Sequence, residues 1–414
     1  MANDEHYDDL ETRDPQEREA DNLERLQSQI AHAKEKSGFF GKLFADFEAA
    51  DITDRAALAK LPVTRKSDLI EIQPQDPPFG GLNAWPMEKL WHVFQSPGPI
   101  YECDADVKNY WRFARGMWAA GVRPGMIVHN TFSYHMTPAG TLIESGARAI
   151  GCPVFPGGVG NTEMQIEATA RLKPAVYAGT PSFLNIILDK SDEMGVTPSY
   201  SVASVGGEPL PVSVRTKIED RGITCLQGYG TAELGQVAYE SKAKEGMIID
   251  EGVLVEIVEP GTGNPVAEGE VGEVVVTHLV NQAYPLIRFA TGDLSAIMDG
   301  ASPCGRTNAR IKGWMGRADQ TTKVRGMFVH PPQVGQAVGR HPEIKKARLV
   351  IDQADGRDSM VLKCEVEGGG SDDLATAIAG SIQTCCKLRG EVEFVEPGSL
   401  PEDGKVIDDI RTFD

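Results

Sequence analysis

The sequence predicts an α/β protein of two domains: a large N-terminal domain built on a doubly wound, mostly parallel sheet with a β-barrel-like subdomain, and a small α+β C-terminal domain. Three observations predict it. At 414 residues the chain exceeds the length over which one hydrophobic core keeps growing. From about 105 to 240, short β-rich runs alternate with helix-compatible stretches, the pattern of βαβ units. After about 250 the texture changes to short alternating strands joined by Gly and Pro, and the last stretch, roughly 90 residues, reads helix, strand, strand, helix, strand.

Taken in order, residues 1–90 read as a helical arm: Leu23, Leu26, Ile30 and Ala33 fall at helical spacing, ahead of the aromatic-rich SGFFGKLFADF. QPQDPPFGGLNAWP (73–86) is too rich in Pro and Gly for regular structure and leads into LWHVFQ (90–95), an apolar strand. Between 91 and 250 the runs MIVHNTF, CPVFPGG, AVYAGTP, ASVGGEP and ITCLQGYG are each followed by helix-compatible sequence. Ligands of such sheets bind beyond the carboxyl ends of strands, where several of these runs end in Gly-rich turns. From 251 to 316, VLVEIVEP, GEVGEVVVTHL and LSAIMDG form the β-rich subdomain, so the large domain spans 1–316. The small domain, 321–414, carries KARLVID, SMVLKCEVE, DDLATAIAGSIQTCC and EVEFVE, with 317–320 joining the two.

Composition narrows the function classes. With 41% hydrophobic and 24% charged residues, the chain is globular rather than disordered or fibrous. A net charge of −19 opposes binding to nucleic acid and to anionic membranes. An anionic substrate therefore needs a locally positive site made from backbone N–H groups, Arg, Lys or a metal ion. The acidic start MANDEHYDDLETRDPQE lacks an apolar stretch and no run approaches the length of a membrane span, so a cytoplasmic protein is expected. Seven cysteines, odd in number and without a CxxC pair, suit reduced thiols.

Four short motifs occur in order: GGEPL (206–210), YGTAE (229–233), TGD (291–293) and GRADQ (316–320), with GK (404–405) near the end. Each is weak alone. Together, and with LPVTRKSDL (61–69), FSYHMTPAG (132–140) and EPGSLPEDGKVIDD (396–409), they resemble the phenylacetate-CoA ligase family of the adenylate-forming superfamily over nearly the whole chain. The resemblance implies the adenylate-forming fold, ATP, Mg²⁺ and CoA as cofactors, an aromatic acid as substrate, and a homodimer. It implies a carboxylate attacking the α-phosphorus of ATP, which requires neutralised phosphates and departing pyrophosphate.

The same resemblance implies roles residue by residue. Glu233 would hold Mg²⁺; a lone acid at a helix start is the bland alternative. The family's Ser or Thr before it is Ala232 here, leaving Thr231 to supply the hydroxyl. Gly206, Gly207, Glu208 and Pro209, with Gly228, Tyr229 and Gly230, would line the base, Tyr229 stacking on adenine, although a Gly-Gly turn is equally ordinary turn chemistry. Asp293 would accept the ribose hydroxyls and Arg288 would support its loop by a salt bridge. Arg317 would reach phosphates or ribose, Asp319 would be the hinge residue, and Lys405 would stabilise the charge that develops on adenylation. Lys323, Arg325 and Gly326 would meet CoA, or else form solvated surface. Tyr134, His135, Met136, Thr137, Gly179 and Thr180 would line the aryl pocket.

The pattern breaks in two places. Where the family carries a Ser/Thr/Gly-rich phosphate loop, this chain reads FQSPGPIYECD (94–104), keeping only Ser96 and Gly98 and adding two prolines that lack N–H donors. The lost contacts are worth roughly 1.5–3 kcal/mol each. Two readings follow: adenylation persists with Mg²⁺, Lys405 and Arg317 compensating, or the fold survives as a protein that binds acyl-CoA or nucleotide without full ligase activity. Adenylyl transfer without CoA is a further alternative. Where some relatives hold zinc, ESKAKEGM (240–247) and SPCGR (302–306) leave only Cys304, too few ligands for a zinc site.

Overall fold

Asp14 starts the long first helix, α1 (Pro15–Lys36), by accepting the N–H groups of Gln16 and Glu17, with Pro15 at the first helical position. Leu26, Ile30 and Ala33 are fully buried along one face of it, as their spacing requires. The structure is a computed structural model describing residues 5–318, 320, 322–329, 331–354, 357–402 and 405–412. It divides into a large unit ending at Gly316 and a small unit that begins at Arg317.

The arm continues through α2 (Gly38–Leu43), α3 (Arg55–Leu58), a two-residue strand β1 (Thr64–Arg65) and α4 (Leu69–Ile72). Buried ion pairs fasten it: Glu11 meets Arg306 at 2.7 Å and the Tyr239 hydroxyl at 2.6 Å, and Arg18 meets Glu251 at 3.2 Å. The expected strand at 90–95 is half of a hairpin, β2 (His92–Ser96) with β3 (Ile100–Asp104).

The alternation then follows: α5 (Phe113–Ala120), β4 (Val128–Asn130), α6 (Ala139–Ile150), β5 (Val154–Pro156), α7 (Thr162–Leu172) and β6 (Val176–Gly179). Next come α8 (Pro181–Glu193), β7 (Val202–Gly206), α9 (Val212–Glu219) and β8 (Thr224–Thr231). Strands β4 to β8 pair in parallel. Side chains alternate across them: Val176, Ala178, Val202 and Leu226 pack with Met117 of α5 and Ile143 of α6. Tyr177, Ala203, Val205 and Cys225 pack with Ile166, Leu188 and Ile218 of α7, α8 and α9. Helices thus cover both faces, the doubly wound arrangement expected from the sequence.

After β8 the expectation of a helix fails. Gly235, at φ +70°, closes a tight turn and β9 (Gly235–Glu240) returns antiparallel. The strands β10 (Met247–Ile249), β14 (Ile297–Met298) and β15 (Arg310–Ile311) complete a nine-stranded sheet, and β11 (Val253–Val258), β12 (Gly272–His278) and β13 (Phe289–Ser295) form a second. That second sheet runs β1-β13-β12-β11, so it is open with β1 and β11 at its edges rather than closed like a barrel. The arm contributes a strand to it, Thr64 pairing with Phe289 and Arg65 with Ala290.

In the small unit a hairpin of β16 (Thr322–Val324) and β17 (Met327–Val329) precedes α10 (Pro331–Val338). There follow β18 (Ile344–Ala354), β19 (Arg357–Val366), α11 (Asp372–Cys386), β20 (Glu391–Val395) and β21 (Ile407–Asp409), with sheet order β20-β19-β18-β21. Val334, Leu349, Ile351, Leu362, Ile378 and Ile382 make its core. All seven cysteines are free thiols. No helix among the described residues is long and apolar enough to cross a membrane.

Candidate active site

The motif residues gather where parallel strands end. Asn130 ends β4, Gly179 ends β6, Gly206 ends β7 and Thr231 ends β8. Neighbouring strands end at the same level because Gly179 pairs with Val205 and Gly206 with Gly228. Close packing requires glycine at two of these positions: a Cβ on Gly206 would lie 3.0 Å from the Gly228 carbonyl, and one on Gly179 would collide with Thr131 and Tyr177.

Asp293, on β13, lies against this edge from the second sheet. Its carboxylate accepts the Tyr229 hydroxyl at 2.9 Å and the Trp314 indole N–H at 3.0 Å. A carboxylate, with two acceptor oxygens, is the group type that suits the vicinal hydroxyls of a ribose. Tyr229 itself corrects an expectation. Its ring is 9% exposed and sits in the large unit's core, so it orients Asp293 rather than offering a face to adenine.

Glu233 occupies the turn between β8 and β9, not a helix start, and is 1% exposed. The ammonium of Lys66, one residue beyond β1, is 2.6 Å from its Oε1. Burial would raise the Glu233 carboxyl, but Lys66 takes it below its ordinary value. The Thr231 hydroxyl also favours its ionised form. An ionised carboxylate fits a hard divalent cation that keeps waters and phosphate oxygens in its shell.

Beside it, Glu102 on β3 is fully buried, and burial together with the charge of Glu233 pushes its carboxyl up to about 9. It is therefore neutral at pH 7. The Ser96 hydroxyl donates to it across the hairpin, which corrects the placing of Ser96 as a phosphate contact: the hydroxyl is buried and already used. Gly98 in the intervening turn is also a packing glycine, since a Cβ there would lie 2.6 Å from the Ile100 side chain.

The aryl-pocket segment is a loop beyond β4. Its Met136 carbonyl accepts the Gln95 N–H at 2.8 Å, tying it to the β2–β3 hairpin. The Tyr134 ring packs on Gly140 of α6, and its hydroxyl accepts from Asn130 at 2.8 Å and donates to Glu144 at 3.2 Å. Met136 is 65% exposed; His135 is exposed and Thr137 half-buried. Thr180 caps α8 by accepting the Phe183 N–H. Beneath the strand ends, the Thr131 hydroxyl lies 2.9 Å from the Tyr177 hydroxyl, and His129 bonds Tyr200 and Gln165 at 2.7 Å each.

Other expected residues have structural duties. Arg288 is 1% exposed, grips Glu256 at 3.0 Å and donates to the carbonyls of Ala59, Leu61 and Gly263, so it is not a nucleotide contact. Glu208 accepts the Ser182 N–H at 2.6 Å in the first turn of α8, a helix-start role in place of a base contact. Thr231 accepts the Leu234 N–H within the Glu233 turn. In the small unit, Arg325 and Gly326 form the β16–β17 turn at φ +48° and +82°. The Arg325 guanidinium donates to the carbonyls of Asp358 and Arg389, which makes it an anchor for the hairpin rather than a free phosphate ligand. Lys323 lies on β16 and Arg317 opens the unit. Lys405 pairs with Asp408 at 2.9 Å. Asp319 lies outside the described residues.

Sequence reasoning missed Lys66, Glu102 and Trp314. Lys66 and Glu102 stood inside quoted segments, but no local signal separates them from surface charges. Only the pairing of β1 with β13 brings Lys66 to Glu233.

A family model described as AMP-binding enzyme matches residues 110–279. The chain is 31% identical to a phenylacetate-coenzyme A ligase of Thermus thermophilus, covering 86% of this chain and 83% of that protein. It is also 31% identical to one from Aromatoleum evansii, covering 91% and 90%. Among solved structures, 2-hydroxyisobutyryl-CoA ligase in complex with its acyl-adenylate and CoA is similar with a TM-score of 0.83 at 25% identity, over 97% of this chain and 91% of that one. With both sheets, the strand-end motifs and relatives of this identity and coverage in agreement, the chain is an AMP-forming acid–CoA ligase and belongs to the phenylacetate-CoA ligase family of the adenylate-forming superfamily.

Proposed function

We propose that the acid is aromatic, of the phenylacetate or benzoate kind, and that the strand-end cluster of Glu233, Lys66, Tyr229 and Asp293 is where ATP activates it. The aromatic class follows the phenylacetate-coenzyme A ligases to which the chain is similar, and the placement of ATP is carried by the convergence of these residues. Residues 66, 229, 233 and 293, from three separate stretches of chain, are joined by the 2.6 Å Lys66–Glu233 and 2.9 Å Tyr229–Asp293 contacts.

In the first half-reaction a carboxylate oxygen of the acid bonds to the α-phosphorus of ATP as the bond to the β-phosphate oxygen breaks and pyrophosphate leaves. Asp293, oriented by Tyr229 and Trp314, accepts the ribose hydroxyls and fixes the α-phosphate relative to the strand ends. Glu233 would hold Mg²⁺, which would supply charge neutralisation to the phosphates. Lys405 is assigned the cation that meets charge developing on the α-phosphoryl oxygens, and the 317–320 segment the hinge. In the second half-reaction the CoA sulfur bonds to the acyl carbon and AMP departs. The segment from Tyr134 to Thr137, with Gly179, forms the acyl side of the site. The chain works as a cytoplasmic homodimer on this reading.

A second substrate class, a short 2-hydroxy acid, is supported by the similarity to 2-hydroxyisobutyryl-CoA ligase. A panel of aryl acids and short hydroxy acids, assayed for CoA-dependent AMP release and for pyrophosphate exchange without CoA, separates the two. An aryl acid as best substrate, with activity lost in Glu233→Gln and Lys405→Ala, is the expected result. AMP release only with hydroxy acids replaces the aromatic assignment, and none with any acid refutes both.

A further inference from the structure

The shortened turn at 97–99 leaves the nucleotide's phosphates without the donors that a longer loop supplies, and the structure shows a cation in place nearby. We infer that Lys66 is a phosphate ligand: its ammonium, resting on Glu233 when no nucleotide is bound, transfers to the β- and γ-phosphates of ATP and supplies the positive charge that the hairpin lacks.

Four observations lead there. First, the hairpin has little left to give: Pro97 and Pro99 have no N–H, and the Ser96 hydroxyl is committed to Glu102. Second, the register of β1 on β13, Thr64 opposite Phe289 and Arg65 opposite Ala290, sets the arm against the strand that carries Asp293, and Lys66, the next residue of the arm, reaches the carboxylate assigned to the metal at 2.6 Å. Third, the two partners of the ion pair differ in access. The Glu233 side chain is fully sealed while that of Lys66 is 24% exposed, so the ammonium and not the carboxylate opens toward an arriving anion. Fourth, the ammonium is the 2.6 Å partner of Glu233, so a divalent cation taken up by that carboxylate would release it for the phosphates. Lysine suits this task because a compact ammonium on a flexible stem can exchange one oxygen partner for another.

The inference rests on ATP being bound at this cluster, and the experiment separates the two. Titration calorimetry on the full chain would compare a non-hydrolysable MgATP analogue with AMP, for the parent, Lys66→Met, Lys66→Arg, Glu233→Gln and the double variant Lys66→Met/Glu233→Gln. The double variant buries no unpaired charge and therefore guards against a folding defect. Lys66→Met is expected to weaken the ATP analogue at least tenfold while AMP changes less than twofold, with Lys66→Arg recovering most of the loss. In the Glu233→Gln background, Lys66→Met should again cost the ATP analogue at least tenfold. If it has no effect in that background, Lys66 acts only through Glu233 and the inference is overturned. Equal losses for AMP and the ATP analogue overturn it too. A parent chain that binds neither nucleotide overturns the placement of ATP, and this inference with it.

Discussion

Replacing Glu102 by Gln should flatten the pH dependence of the protein's stability. The carboxyl is fully buried and pushed up to about 9, first by burial and then by the charge of Glu233, so it keeps its proton in the folded chain throughout pH 5–8. In the unfolded chain an ordinary Glu, with a value of about 4.3, has lost its proton over that range. The folded state therefore binds more protons, and stability falls as pH rises, by about 1.4 kcal/mol per pH unit for one group. Across three units the parent forfeits about 4 kcal/mol through this residue. Gln matches the protonated side chain in shape, still accepts the Ser96 hydroxyl and has nothing to ionise. Urea unfolding followed by tryptophan fluorescence at pH 5, 6.5 and 8 measures the difference, and subtracting parent from variant cancels every other titrating group. The variant should gain about 4 kcal/mol on the parent between the two ends of the range. Parallel pH curves for the two proteins would show Glu102 ionised in the folded state and refute the neutral-hairpin account.

Other consequences are open to test. Glu11→Ala leaves the buried Arg306 guanidinium without its carboxylate and should cost about 3–5 kcal/mol in chemical denaturation. Tyr229→Phe removes the hydroxyl that donates to Asp293 and should weaken MgATP binding by about 0.5–1.5 kcal/mol, read as a raised KM for ATP with little change in kcat. Gly179→Ala drives a methyl group into Thr131 and Tyr177, so a stability loss of about 1–3 kcal/mol should accompany a raised KM for the acid but not for ATP.

Legibility in the sequence followed the range of the interactions. The parallel strands were legible because each is a short apolar run between Gly-rich turns and helix-compatible sequence, and all five pair as that alternation requires. The turn after Thr231 was not, since TAEL suits a helix start as well as a hairpin and only the left-handed Gly235 with β9 decides it. Motif residues were found, but their duties depended on three-dimensional partners. Arg288 reads as a salt-bridging support of the Asp293 loop, but its partners, Glu256 and the carbonyls of Ala59, Leu61 and Gly263, lie elsewhere in the chain and no local pattern names them. Lys66 lies 167 positions before Glu233, beyond any periodicity, and a strand of two residues leaves almost no pattern.

That short strand changes what the N-terminal arm is for. Two residues of parallel pairing cannot hold a lysine in register by themselves, because the entropy of ordering the flanking chain is comparable to what so few ladder hydrogen bonds return. The arm must be fixed elsewhere, and it is: Leu26, Ile30 and Ala33 are buried without residual exposure, Arg18 holds Glu251, and Glu11 joins Arg306 to Tyr239. These anchors lie far along the chain from Lys66, yet they determine whether its ammonium stands 2.6 Å from Glu233. In a chain whose phosphate loop had kept its own donors, the arm could loosen without touching the nucleotide. Here the loss of those donors transfers part of the electrostatic work to the arm, so the packing of α1 and the charge balance of the active site become one problem rather than two.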